Sequence, residues 1–241
     1  MKLSRMAPVV LAITAAVAGW PFAALPYEAV AVSDGGTIKG KVLFQGSPPA
    51  TRKVILTKDR EVCGSGVREV DQILLGPDQA VQDAVVYLKN VEKGKAWDTR
   101  SATPHIDNVK CDFKPHVQVI SAGDFEIVNS DPVLHNTHGF YGRLTAFNVA
   151  LPNQGQRIKK PLKRSGLVRV ECDAHGWMLG WVYVADNPYH AVTAKDGTFT
   201  INNIPSGSYT LVAWQEYTRE IEIPVTVKGK EVVPVTVELK K

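Results

Sequence analysis

The chain of 241 residues carries 28 Lys and Arg against 24 Asp and Glu, a formal charge of +4, and 44% of it is hydrophobic. This is globular composition, long enough for one large domain or two small ones. The weak basic balance excludes a nucleic-acid partner, which would need a concentrated basic face.

Lys2 and Arg5 precede an apolar run from Ala7 to Gly19, and Ala29-Val30-Ala31 supplies the small-x-small pattern that a signal peptidase reads. Residues 1–31 are expected to be an export signal, which places the protein in the periplasm or outside the cell. The run is short for a membrane span, which wants about 20 apolar residues. Membrane attachment is expected only if the leader is not cleaved.

Beyond it, short β-branched runs bounded by Gly, Pro, Asn and Asp recur, and few stretches carry a helical period. They predict strands at 37–45, 52–57, 83–89, 116–121, 124–129, 145–151, 156–160, 167–172, 180–185, 191–194, 198–202, 207–214, 219–226 and 231–238, an all-β chain. Hairpins are expected where Ser121-Ala-Gly-Asp, Ala194-Lys-Asp-Gly and Pro205-Ser-Gly-Ser place a glycine between apolar runs. Residues 91–108 read as an irregular loop and a domain seam.

The chemistry concentrates in Val-Glu-Cys-Asp-Ala-His-Gly-Trp-Met, which brings Cys172, His175 and Met178 into seven residues; Met178 is the only methionine beyond the leader. A thiolate, an imidazole and a thioether form a soft donor set that suits copper better than magnesium, calcium or zinc, and a blue-copper site adds a second His. Residues 129–140 offer His135 and His138. On an alternating strand these two face opposite sides, so His138 is expected as a hydrogen-bond partner beside the site. The rival set is His135, His138, His175 and Cys172 around zinc, against which Met178 argues. Three cysteines allow three pairings; the copper reading keeps Cys172 as a free thiolate and leaves Cys63 and Cys111 for a disulfide.

With Asn129, His135 and Asn136 ahead of Cys172, His175, Met178, Gly180, Val182 and Val184, residues 109–186 resemble the cupredoxins, closest to amicyanin in ligand spacing. The resemblance implies a Greek-key sandwich holding one type 1 copper ion. His135 would be a buried ligand, Cys172 the thiolate, Met178 the axial ligand, and His175 the partly exposed ligand through which electrons pass. Asn136 would hydrogen-bond across the ligand loops, and Trp177 and Trp181 would shield the metal.

Gly36-Thr-Ile-Lys-Gly-Lys-Val-Leu-Phe and Asp196-Gly-Thr-Phe-Thr-Ile-Asn-Asn-Ile-Pro are similar to the two ends of a carboxypeptidase regulatory-like domain, a transthyretin-like sandwich. The cupredoxin unit is therefore expected within or fused to that sandwich, whose parts are 33–92 and 188–241. Exported bacterial proteins that combine the two signatures include some labelled methylamine utilisation proteins. A single-electron carrier is implied rather than an enzyme, since no nucleophile with a base and no paired carboxylates stand out. Copper storage or delivery, and a structural or adhesive role, are the alternatives. The basic run Lys159, Lys160, Lys163 and Arg164 suggests a docking face for an acidic redox partner.

Overall fold

The computed structural model describes residues 27–98 and 103–241. Two pairs of sheets account for most of them. One pair joins strands 190–192, 85–89, 207–215 and 219–227 in the first sheet and 198–204, 36–44 and 232–239 in the second. Ile38, Val42, Leu88, Ile201, Leu211 and Val237 fill the space between them.

The other pair is built from residues 105–185. A four-stranded sheet runs in the order 157–162, 123–129, 105–109, 112–114; a five-stranded sheet runs 144–151, 135–141, 166–172, 179–185, 117–121. Parity explains the packing, because successive residues of a strand face opposite sides. Val168, Val170 and Cys172 are buried along one face of Gly166–Cys172, and across the core Phe125 and Ile127 do the same on Gly123–Asn129.

A third cluster, Val85, Val117, Trp181 and Trp214, joins the two sandwiches. Trp181 meets Trp214 edge to face at 5.0 Å, and Tyr87 lies on Tyr183 at 4.5 Å. Aromatic pairs at these separations contribute roughly 0.5–1.5 kcal/mol beyond their buried area.

The chain departs from the sequence reading in several places. Each of the three glycine turns hands the chain from one sheet to the other, so none closes a hairpin: strands 117–121 and 123–129, 190–192 and 198–204, and 198–204 and 207–215 lie in different sheets. Turn residues fix the local backbone, as at Gly197 with φ +73, but the pairing partner is chosen by core packing. Residues 105–109, read as irregular, form a strand parallel to 123–129. The strand His135–Tyr141, whose Asn, His and Gly residues depress β-propensity, is central in its sheet, between 144–151 and 166–172.

The hairpin of Arg52–Leu56 and Gly66–Val70, joined by the short helix Arg60–Cys63, precedes the second sandwich in sequence yet packs on it. Leu56 and Cys63 are buried in the same cluster as Phe113, Cys172 and Met178. We call this hairpin the flap. It is tied down by a disulfide between Cys63 and Cys111, while Cys172 is free.

Of the expected leader, residues 1–26 lie outside the described residues. The rest packs on the fold: the Tyr27 hydroxyl donates to the Lys95 carbonyl at 2.6 Å, and Glu28–Ala29 pairs with Lys93–Gly94. Among the described residues no helix is long and apolar enough to cross a membrane.

Candidate metal centre

Two adjacent strands of the five-stranded sheet carry the donors. His135 opens one, Cys172 closes its antiparallel neighbour, and the pairing of Thr137 with Cys172 brings the two ends together. The chain then turns tightly: His175 N–H donates to the Cys172 carbonyl at 3.2 Å and Met178 N–H to the His175 carbonyl at 2.9 Å. This turn returns His175 over Cys172 and buries Met178, 2% exposed, in the cluster that holds the thiol.

His135 Nδ1 and His175 Nδ1 lie 3.2 Å apart, and each is 3.7 Å from Cys172 Sγ. A triangle with these edges has its centre about 2.1 Å from every corner, which is the length of a metal bond to imidazole or thiolate, about 2.0–2.3 Å. The three donors therefore fit a single ion without rearrangement. All three side chains are buried.

Each imidazole is oriented from behind. His135 Nε2 lies 2.9 Å from Asp131, whose carboxylate also accepts the backbone N–H groups of Lys110 and Cys111 at 2.7 and 2.8 Å. His175 Nε2 lies 2.7 Å from Asp59 of the flap. With Nδ1 turned inward, Nε2–H is the donor in both pairs, the arrangement in which a carboxylate fixes ring orientation and raises donor strength. The loop ahead of His135 is held by Asn129, whose amide donates to the carbonyls of Val133 and Leu151, both at 2.9 Å, and whose Oδ1 accepts Asp131 N–H at 3.0 Å.

Burial shapes the protonation states. It pushes the Cys172 thiol above its usual range, and backbone N–H groups of Asn136, His175 and Ala174 oppose it only in part. The thiol therefore holds its proton at neutral pH until a cation displaces it. Burial lowers His135, more than Asp131 raises it, so the ring is neutral and free to act as a donor.

The structure brings together His135, Cys172 and His175, with Met178 in the same cluster. Trp177 packs on His175 at 5.1 Å between ring centres, and its indole N–H donates to the Cys111 carbonyl. Two expectations, for His175 and Trp181, are corrected. His175 is fully buried rather than partly exposed, because the flap covers it. His138 faces away from the donors, as strand parity requires, and sits 3.2 Å from Asp173 and 3.0 Å from Thr145. Trp181 shields no donor: it belongs to the cluster between the sandwiches and donates to Glu216.

Asn136 links the two loops that carry the donors through its backbone. Its N–H points to Cys172 Sγ at 3.5 Å and its carbonyl accepts Asp173 N–H at 3.2 Å, while its side chain bonds Asn148. Asp131 and Asp59 escaped sequence reasoning. Asp131 stands four residues before His135 and had a local signal; Asp59, in a different part of the chain, had none.

No family model matches the sequence, and neither does any curated protein. Solved structures similar to it include a purple cupredoxin from Nitrosopumilus maritimus, 24% identical over 34% of this chain and 99% of that one, with a TM-score of 0.30. Amicyanin from Paracoccus versutus is 20% identical over 42% and 97%, TM-score 0.32. A copper-containing nitrite reductase from Thermus scotoductus is 20% identical over 38% of this chain, TM-score 0.31, and the chain spans 25% of its length.

Proposed function

We propose that this chain is an exported type 1 copper protein that carries single electrons between redox partners. The observation that carries the reading is the buried triangle of His135, Cys172 and His175, whose edges suit one ion. Met178, buried in the same cluster, would supply the fourth donor. Copper, when bound, supplies a one-electron couple, and a thiolate with imidazole and thioether is the donor set that suits it.

The protein's part is rigidity. Asp131 and Asp59 pin the two rings, and Asn136 N–H steadies the sulfur. A charge change at the centre then demands little motion. The reading takes residues 109–186 as the cupredoxin-type unit and the flanking sandwich as a carboxypeptidase regulatory-like module. It takes the leader as ending before Tyr27, which packs on that module, and places the protein in the periplasm. No enzymatic step is assigned.

Complete burial of both rings favours a second reading, a copper store that holds Cu(I) and passes no electrons. The visible spectrum with one equivalent of copper(II) separates the two. The carrier shows intense thiolate-to-copper absorption and a reversible one-electron wave; Cys172→Ser abolishes the colour, and Met178→Leu keeps it with a shifted potential. A colourless copper adduct without a wave selects the store.

A further inference from the structure

His175 offers no edge to an incoming protein, since its ring is fully buried and Nε2 is closed off by Asp59. Asp59 is itself partly exposed, and the aromatic group that connects the donors to the outside is Trp177. Its ring lies 5.1 Å from that of His175, and it remains 8% exposed along a cleft of about 610 Å³ where the flap, the metal-bearing sandwich and the C-terminal strand meet.

The walls of this cleft are positive. Arg68 is paired with Asp112, and Arg169 with Glu171. The Glu216 carboxylate is engaged by His116 and Trp181. Arg52, Arg219 and Lys240 make no ion pair among the described residues, and Lys241 lies over the Tyr217 ring at 4.0 Å. Against these four cations stands Asp71. Of the basic run Lys159, Lys160, Lys163 and Arg164, the last is beside Tyr141, at the far end of the strand that starts at His135, about 20 Å away at 3.4 Å per residue.

We propose that this cleft docks an acidic redox protein, and that electrons pass between that partner and the metal centre by way of Trp177. The inference rests on the copper-carrier reading. In the step itself one electron leaves the reduced protein and reduces its partner by one; no atom or proton moves. Opposite charge raises the encounter rate, and the effect weakens with salt.

Small redox ions test this. Hexacyanoferrate(III), an anion, is expected to oxidise the reduced protein faster than tris(phenanthroline)cobalt(III), a cation, at low ionic strength. Arg52→Glu combined with Lys240→Glu should slow the anion about tenfold and speed the cation, with the thiolate colour unchanged. Trp177→Leu should slow both. Coloured protein whose rates ignore the charge reversal overturns the docking site, and rates unchanged in Trp177→Leu overturn the route.

A copper-free arm separates the proposal from the reading beneath it. In metal-free protein the paramagnetic anion hexacyanochromate(III) should broaden the indole N–H signals of Trp177 and Trp181 before that of Trp97. Broadening there in a protein that never colours with copper overturns the carrier and leaves an anion-docking cleft. Broadening centred near Arg164 overturns the cleft.

Discussion

His175 and Asp59 are 116 positions apart in the chain, yet the ring of one donates a 2.7 Å hydrogen bond to the carboxylate of the other. A candidate metal donor is thus oriented by a residue outside the sandwich that supplies the other donors. The carboxylate adds negative charge behind the ring, which favours the more highly charged oxidised ion. Asp59→Asn is expected to raise the reduction potential; a tenfold change in the ratio of affinities for the two oxidation states is about 59 mV. Voltammetry of the variant measures it, and an unmoved potential would show that Asp59 has no electrostatic hold on the centre.

Asp131 collects three N–H donors, from Lys110, Cys111 and His135, with almost no exposure. Asp131→Ala removes the partner of all three, and those of Cys111 and His135 are buried. Removing one side of such a network costs about 3–5 kcal/mol. Urea denaturation of metal-free protein should register this loss, whereas a change below about 1 kcal/mol would mean that the loop repacks around the gap.

The Cys63–Cys111 disulfide closes a loop of 48 positions. On the chain-entropy account such a cross-link stabilises by about 4 kcal/mol. Replacing both cysteines with Ala should lower the melting temperature accordingly and loosen the flap. Hydrogen exchange at residues 52–70 is expected to quicken ahead of exchange in the strands of the sandwich formed by residues 105–185.

His116 spans the two sandwiches, with Nδ1 3.0 Å from the Leu179 carbonyl and Nε2 2.8 Å from Glu216. Burial works against its charged form, but the hydrogen bond and charge of Glu216, helped by Asp83, outweigh it and raise the pKa. A raised folded-state pKa means that the charged form stabilises the fold. That contribution is full below the unfolded value, about 6.5, and is lost as pH climbs through the folded value. His116→Gln should flatten the fall in stability above pH 6.5 and cost about 1 kcal/mol below it.

Much of the architecture was visible in the sequence because its strands are β-branched runs with punctuated ends. The convergence of Cys172 and His175 was visible because their spacing is local. Less accessible was anything decided by distant contact. The strand His135–Tyr141 is poor in β-formers and exists because its neighbours on both sides supply ladders. Burial of His175 could not be read from residues 172–178, since the cover comes from residue 59. Turn glycines announced reversals of direction but not whether the next strand would stay in the same sheet.

The flap has a practical corollary for anyone dissecting the molecule. Residues 105–185 look like a self-sufficient piece, with both sheets and every donor. Excised alone, that piece would lose Asp59, Leu56 and the bridge to Cys63, leaving an imidazole in water and a hole in the packing around Cys172. The smallest competent unit is discontinuous, and the flanking sandwich is what carries its missing part into place.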